Sequence, residues 1–100
     1  MLDAAQEAAK FVKGRKRSDL DADHQLTLAL TRLLEILGEA SRHVPEKTKQ
    51  RNPEIRWKEI AGTRDRLAHG YFDVDLDILW EIVTRDLAPL IAQLEGLVSK

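Results

Sequence analysis

The sequence predicts an all-α fold, an antiparallel four-helix bundle. Three observations carry that expectation. Apolar residues recur at steps of three and four almost throughout, the period of one helix face. No stretch shows the apolar–polar alternation of a half-buried strand. The breakers Gly14, Pro45 and Gly70 fall where the periodic segments run out, as helix ends require.

The first helix is expected from Leu2 to Lys13, with Leu2, Ala5, Ala9 and Val12 on one face and Gly14 ending it. Arg15 to Asp21 reads as a short charged connection. The second helix runs from about Asp21 to Val44. Its seam of Leu26, Leu30, Leu33, Leu37, Ala40 and Val44 stops at Pro45, while Leu28 and Ile36 lie off the seam on a second face. Glu46 to Arg56 is polar, with room for a helical turn. The third helix starts near Ile55 or Trp57 and ends at Gly70.

The fourth helix starts at Asp75, an N-cap residue with Asp77 in the dipole-favoured first turn. Leu76, Trp80, Val83, Leu87, Leu90, Leu94 and Leu97 form its seam, widened by Ile78, Ile82 and Ile91. Pro89 predicts a kink or local break, because the apolar period continues beyond it. The wide apolar face exceeds what a four-helix monomer needs and suggests a symmetric homodimer.

One hundred residues with ordinary apolar content make one domain, residues 1–100. The absence of cysteine excludes disulfides, thiolate metal sites and a thiol nucleophile. No apolar run is long enough to cross a membrane, and the start lacks a signal-peptide core, so a cytoplasmic protein without membrane contact is expected. The formal net charge of −1 gives no global attraction to nucleic acid. It hides an asymmetry: Arg42 to Arg66 holds eight Lys/Arg against four acids, and Asp73 to Glu95 holds one Arg against six acids. A further basic cluster is Lys13, Arg15, Lys16 and Arg17. Such clusters are either solvated faces or phosphate-binding surfaces.

The chemically richest stretch is Arg64-Asp65-Arg66-Leu67-Ala68-His69-Gly70-Tyr71. Arginine clamps phosphate, histidine moves protons near neutral pH, and tyrosine supplies a hydroxyl. Arg64 and Tyr71 share a face on an unbroken helix, whereas His69 lies about 140° from Arg64. Bringing His69 to Arg64 therefore needs a helix end near Gly70 or a second subunit. Structural roles compete with catalytic ones: a salt bridge from Arg64 to Asp65, Glu59 or a fourth-helix acid, a dipole role for His69, a packing role for Tyr71.

Other patterns are weaker. Asp73, Asp75 and Asp77 resemble the start of a calcium loop, but Ile78 stands where the loop needs Gly and Thr84 where it needs Glu, so they read as capping residues. His24, His43 and His69 lack metal-ligand spacing, so no metal is expected. Trp57 and Trp80 read as core anchors.

The segment from Arg64 through Phe72-Asp73-Val74-Asp75 resembles the signature of the HEPN superfamily, and more narrowly the HepT-like toxins. Leu34-Glu35-Ile36-Leu37-Gly38-Glu39-Ala40, Pro53-Glu54-Ile55 with Trp57, and Leu76-Asp77-Ile78-Leu79-Trp80 fit as well. The resemblance implies a dimerising HEPN bundle and a metal-independent ribonuclease, with Arg64 and His69 from two subunits meeting in a cleft. It implies one half of a type VII toxin–antitoxin pair. The other half is a minimal nucleotidyltransferase antitoxin of the MntA type, which transfers AMP from ATP to the motif tyrosine, here Tyr71. The toxin itself then needs no cofactor, and its substrate is RNA. Asp65 stands where many members carry Asn and is a candidate supporting residue beside the catalytic pair. Leu33 stands where an Asn is frequent. The alternative is a non-catalytic HEPN subunit that binds RNA, a nucleotide or its nucleotidyltransferase partner.

Overall fold

A computed structural model describes residues 1–67 and 74–98. The regular elements among these residues are helices, so the all-α expectation holds. The helices come in shorter pieces than the apolar period implied: α1 Leu2–Val12, α2 Arg17–Ala22, α3 His24–Arg42, α4 Glu46–Arg51, α5 Trp57–Ala61, α6 Thr63–Leu67, α7 Leu76–Glu81 and α8 Leu87–Val98. A π-helical stretch, Ile82–Asp86, joins α7 to α8.

Each extra break has a local cause. Gly14 takes a left-handed φ of 77° just after α1, a conformation that costs glycine little. The stretch expected as a connection winds into α2. Asp19 accepts the Lys16 backbone N–H at 2.7 Å, and Arg17 reaches Asp21 one turn on at 2.9 Å. Asp23 then leaves the helical region (φ −115°, ψ 93°) and caps α3 by accepting from the Leu26 N–H at 3.1 Å. The expected single helix from Asp21 to Val44 is therefore two. Gly62, at φ −88° and ψ 7°, separates α5 from α6.

The last rod corrects the position of its irregularity. Pro89 has no N–H to offer the carbonyl four residues back. The rod departs from α-geometry one turn earlier, where the Leu87 N–H bonds the Ile82 carbonyl, five residues back. The extra residue rotates the apolar face, so Leu79, Ile82, Val83, Leu87, Leu90 and Leu94 are buried while Trp80 is only half-buried. π-stretches inside α-helices arise from such one-residue insertions.

α3 is the central helix. Leu26, Leu30, Leu34 and Leu37 on α3 are buried, as are Ala4, Ala5 and Ala8 on α1. Leu26, Leu30, Leu37 and Ala5 are buried as the expected seams have them, while Leu33 and Ala9 are half-buried and their neighbours Leu34 and Ala8 take the buried places. α1 packs on α3 and α8, and α5 and α6 pack on α3. Gly38 lets α5 come close: a Cβ there would lie 2.9 Å from the Ile60 carbonyl oxygen. Of the isoleucines expected to widen the last helix, Ile82 is buried within the chain itself. Leu28 and Ile36 on α3 are the off-seam residues left open, 56% and 41% exposed.

Candidate functional site

α6 is a single short turn, and its register decides what it presents. Thr63 and Leu67, four residues apart, are buried at 4% and 2% exposure. That anchors one face against α3 and turns Arg64, Asp65 and Arg66 to solvent. The Thr63 hydroxyl donates to the Glu59 carbonyl at 3.2 Å, tying α6 back to α5 across the Gly62 break. At the other end the Leu67 carbonyl accepts the Asp75 N–H at 2.8 Å. This bond pins the residue before the 68–73 stretch to the residue that caps α7. The Asp75 carboxylate in turn accepts the N–H groups of Asp77 and Ile78, each at 3.1 Å. Asp75 is a cap, as its sequence context implied. His69, Tyr71 and Asp73 lie outside the described residues, so the geometry of the motif is defined here for Arg64 and Asp65 only.

The salt-bridge role weighed for Arg64 is not met among the described residues. Glu59 pairs with Arg56 at 3.5 Å. The fourth-helix acid nearest in role, Asp86 on the π-stretch, pairs at 3.6 Å with Arg66 instead. The Arg64 guanidinium makes no ion pair or hydrogen bond with any described residue, nor does the Asp65 carboxylate. An exposed arginine without such a partner is free to bind phosphate with its two-pronged donor set. No three metal-ligating side chains converge among the described residues.

One concavity borders this turn and another borders α5. One is a groove of about 430 Å³ between α3, α5, α6 and the π-stretch. Leu34, Leu37 and Leu90 line it together with Arg66, Arg85 and Asp86. The other is an open basin of about 600 Å³ formed by α4, the 52–56 segment and α5, with Trp57, Lys49, Arg56 and Lys58 in its lining. Trp57 reads from the sequence as a core anchor. It is half-buried, packs partly on the core, donates its indole N–H to the Asn52 carbonyl at 3.0 Å and also lines the basin.

The two basic clusters separate in their pairing. Arg15 faces Asp23 at 3.8 Å, and Arg17 contacts both Asp21 and Asp77 at 2.9 Å. The hydrogen bond to Asp77 is the main reason the Arg17 guanidinium is raised above its ordinary value, with the charges of Asp21 and Asp77 adding to it. That shift lies far above working pH and gives no titration there. Arg17 thus ties α2 to α7, while Arg15 is held by Asp23 at the start of α3. Lys47, Lys49, Arg51 and Lys58 of the second cluster have no acidic partner among the described residues.

The fold is that of an all-helical domain, with the motif arginine exposed on a short turn held at both ends. The chain belongs to the HepT-like family: residues 1–97 match the family described as Ribonuclease HepT-like. It is similar to Probable ribonuclease HepT of Thermococcus cleftensis, 43% identical over 79 residues, which is 79% of this chain and 72% of that protein. It is 39% identical over 89 residues to a protein named "Putative RNase" in Caldanaerobacter subterraneus subsp. tengcongensis, covering 89% of this chain and 80% of the relative. A "Putative RNase" of Methanocaldococcus jannaschii is 33% identical over 95 residues, 95% of this chain and 87% of that protein. No solved structure matches. No helix among the described residues is long and apolar enough to cross a membrane.

Proposed function

We propose that this protein is a ribonuclease that cleaves RNA without a metal ion. The family match across residues 1–97, which takes in the whole Arg64–His69–Tyr71 motif, is the observation that carries this reading. In the proposed reaction a histidine takes the proton of a ribose 2′-hydroxyl. The freed oxygen attacks the adjacent phosphorus, and the 5′-oxygen leaves with a proton, giving a cyclic phosphate and a new 5′-hydroxyl end. His69 from two copies of the chain would divide the base and acid work. Arg64 would hold the non-bridging oxygens as negative charge builds on them, and its exposed guanidinium without a described partner suits that task. Asp65 would support the pair by orienting His69 or Arg64.

A dimer would bring His69 to Arg64 from a second subunit, one of the two ways past the roughly 140° that would separate positions 64 and 69 on an unbroken helix. Regulation would run through Tyr71. A partner nucleotidyltransferase antitoxin would transfer AMP from ATP to its hydroxyl, with pyrophosphate leaving. That adds bulk and a competing phosphate beside Arg64. The protein would thus act as the toxin of a type VII pair in the cytoplasm.

The test is cleavage of cellular RNA by purified wild type and by His69→Ala, both in excess chelator. Cutting by wild type and its loss in the variant, with dimer mass unchanged in light scattering, is the expected result. Equal cutting by both would refute the assignment. Intact-mass measurement after incubation with ATP and the partner should show AMP on wild type and none on Tyr71→Phe.

A further inference from the structure

We propose that the basin between α4 and α5 is a second RNA-holding surface, in which Trp57 stacks a base of single-stranded RNA while Lys49 and Lys58 hold its phosphates. The ligand class rests on the ribonuclease reading above; the surface itself rests on three independent observations. The first is charge. Lys49, Arg56 and Lys58 line the basin against Glu46 and Glu59. Arg56 is matched by Glu59, which leaves two lysines without an acidic partner among the described residues. Lys47 and Arg51 extend the positive field along α4. The first basic cluster, by contrast, has its arginines tied to Asp21, Asp23 and Asp77.

The second observation is the aromatic. Trp57 opens α5, is half-buried and lines the basin. The bond from its Nε1 to the Asn52 carbonyl fixes the ring, so a base stacking on it orders little further. An aromatic face between cations is how proteins hold single-stranded nucleic acid without reading its sequence. The third is placement. The basin's volume of about 600 Å³ lies within the range of ligand-holding clefts, about 300–1,000 Å³. α5 continues through Gly62 into α6, which carries Arg64. A strand held on the basin is therefore held by the same continuous piece of chain that presents the motif arginine. A second contact region of this kind would favour long unpaired RNA over short fragments.

The test uses the full chain carrying Trp80→Phe, which leaves Trp57 as its one tryptophan, and His69→Ala, so that RNA is not consumed. An oligouridylate of about twelve nucleotides is titrated while indole fluorescence is followed; stacking should quench it. Lys49→Gln/Lys58→Gln should weaken binding about tenfold or more. Each lost phosphate contact should also flatten the plot of log affinity against log salt by about 0.7, so the slope should fall by about 1.4. A merely structural role for the lysines would leave that slope unchanged. Absence of quenching together with an unaltered slope overturns the proposal. So does quenching by the nucleotidyltransferase partner and not by RNA, which would make the basin a protein-docking face. Failure here is distinguishable from failure of the enzyme assignment, because cutting is read separately on chains that keep His69. Quenching and a lowered slope in the titration, with no cutting by the His69 chain, keep the basin and refute the nuclease; cutting by the His69 chain with no quenching and an unaltered slope does the reverse.

Discussion

Replacing Gly38 by alanine isolates the contact that sets α5, and through it α6, against the central helix. An ideal Cβ at position 38 lies 2.9 Å from the Ile60 carbonyl oxygen and 3.8 Å from that of Ala61. Carbon–oxygen contacts in proteins begin near 3.3 Å, so α5 must retreat by about 0.4 Å. The atom met is backbone, and no side-chain rotation relieves it. Overpacking of this kind costs about 1–3 kcal/mol. Against it stands the gain of about 0.8–1.0 kcal/mol for alanine over glycine inside a helix. Because the displaced backbone carries Ile60, which is itself buried, the net loss is set at about 1–2 kcal/mol. For a domain of this size that is about 4–16 °C in Tm, at roughly 4–8 °C per kcal/mol. The control is Gly96 on α8, where an added Cβ meets nothing within 4 Å. Gly96→Ala should raise stability by about 0.5–1 kcal/mol. Thermal melts followed by circular dichroism read both. If Gly38→Ala is as stable as Gly96→Ala, the close approach of α3 and α5 is not what glycine is needed for, and the reasoning fails.

Further outcomes follow from the same structure. Leu30 is fully buried on α3, and Leu30→Ala should cost about 2–5 kcal/mol in urea titration with the m-value preserved. Trp57→Phe removes the donor to the Asn52 carbonyl and should cost about 0.5–1.5 kcal/mol by the same assay. Arg17→Met breaks contacts to both Asp21 and Asp77; it should lower Tm at low salt, with the gap to wild type narrowing as salt rises, since exposed ion pairs are screened.

The helical class was legible because periodicity survives every break: the seam positions are on the right helices and within one residue of the buried face. The breaks themselves were less legible. Asp23 reads as an acceptable residue in a helical run until its side chain is seen to cap Leu26. Gly62 sits among residues that all suit a helix, and only its position at the end of α5 shows why the turn breaks there. Pro89 announces a disturbance, but where the rod absorbs it depends on packing. The extra residue over Ile82–Asp86 spans the five-residue step from Ile82 to Leu87, so Leu79 and Ile82 before it and Leu87, Leu90 and Leu94 after it are all buried. Small errors of register of this kind moved α1's face from Ala9 toward Ala4 and Ala8 without changing which helices meet.

The sequence marks Arg64 as a candidate but does not show which nearby cations are already paired. Arg64 and Arg66 are two apart on α6, about 200° around the helix from each other. Spacing to His69 and Tyr71 singles out Arg64 as the motif arginine, but it does not say which of the two is salt-bridged: both flank Asp65, and both suit a salt bridge to the acidic last helix. Three-dimensional placement does separate them, because the burial of Thr63 and Leu67 fixes the rotation of the turn. Arg66 then meets Asp86, while Arg64 meets no described acid. The same distinction sorts the two basic clusters, of which one has its arginines bound by Asp21, Asp23 and Asp77 and the other leaves Lys49 and Lys58 open. A cation already matched by a fixed carboxylate must break that contact before it can hold a phosphate; an unmatched one need not. On that physical ground Arg64, and not Arg66, is the arginine to expect at the phosphorus, and the α4–α5 face, not the α1–α2 corner, is where RNA should leave its footprint.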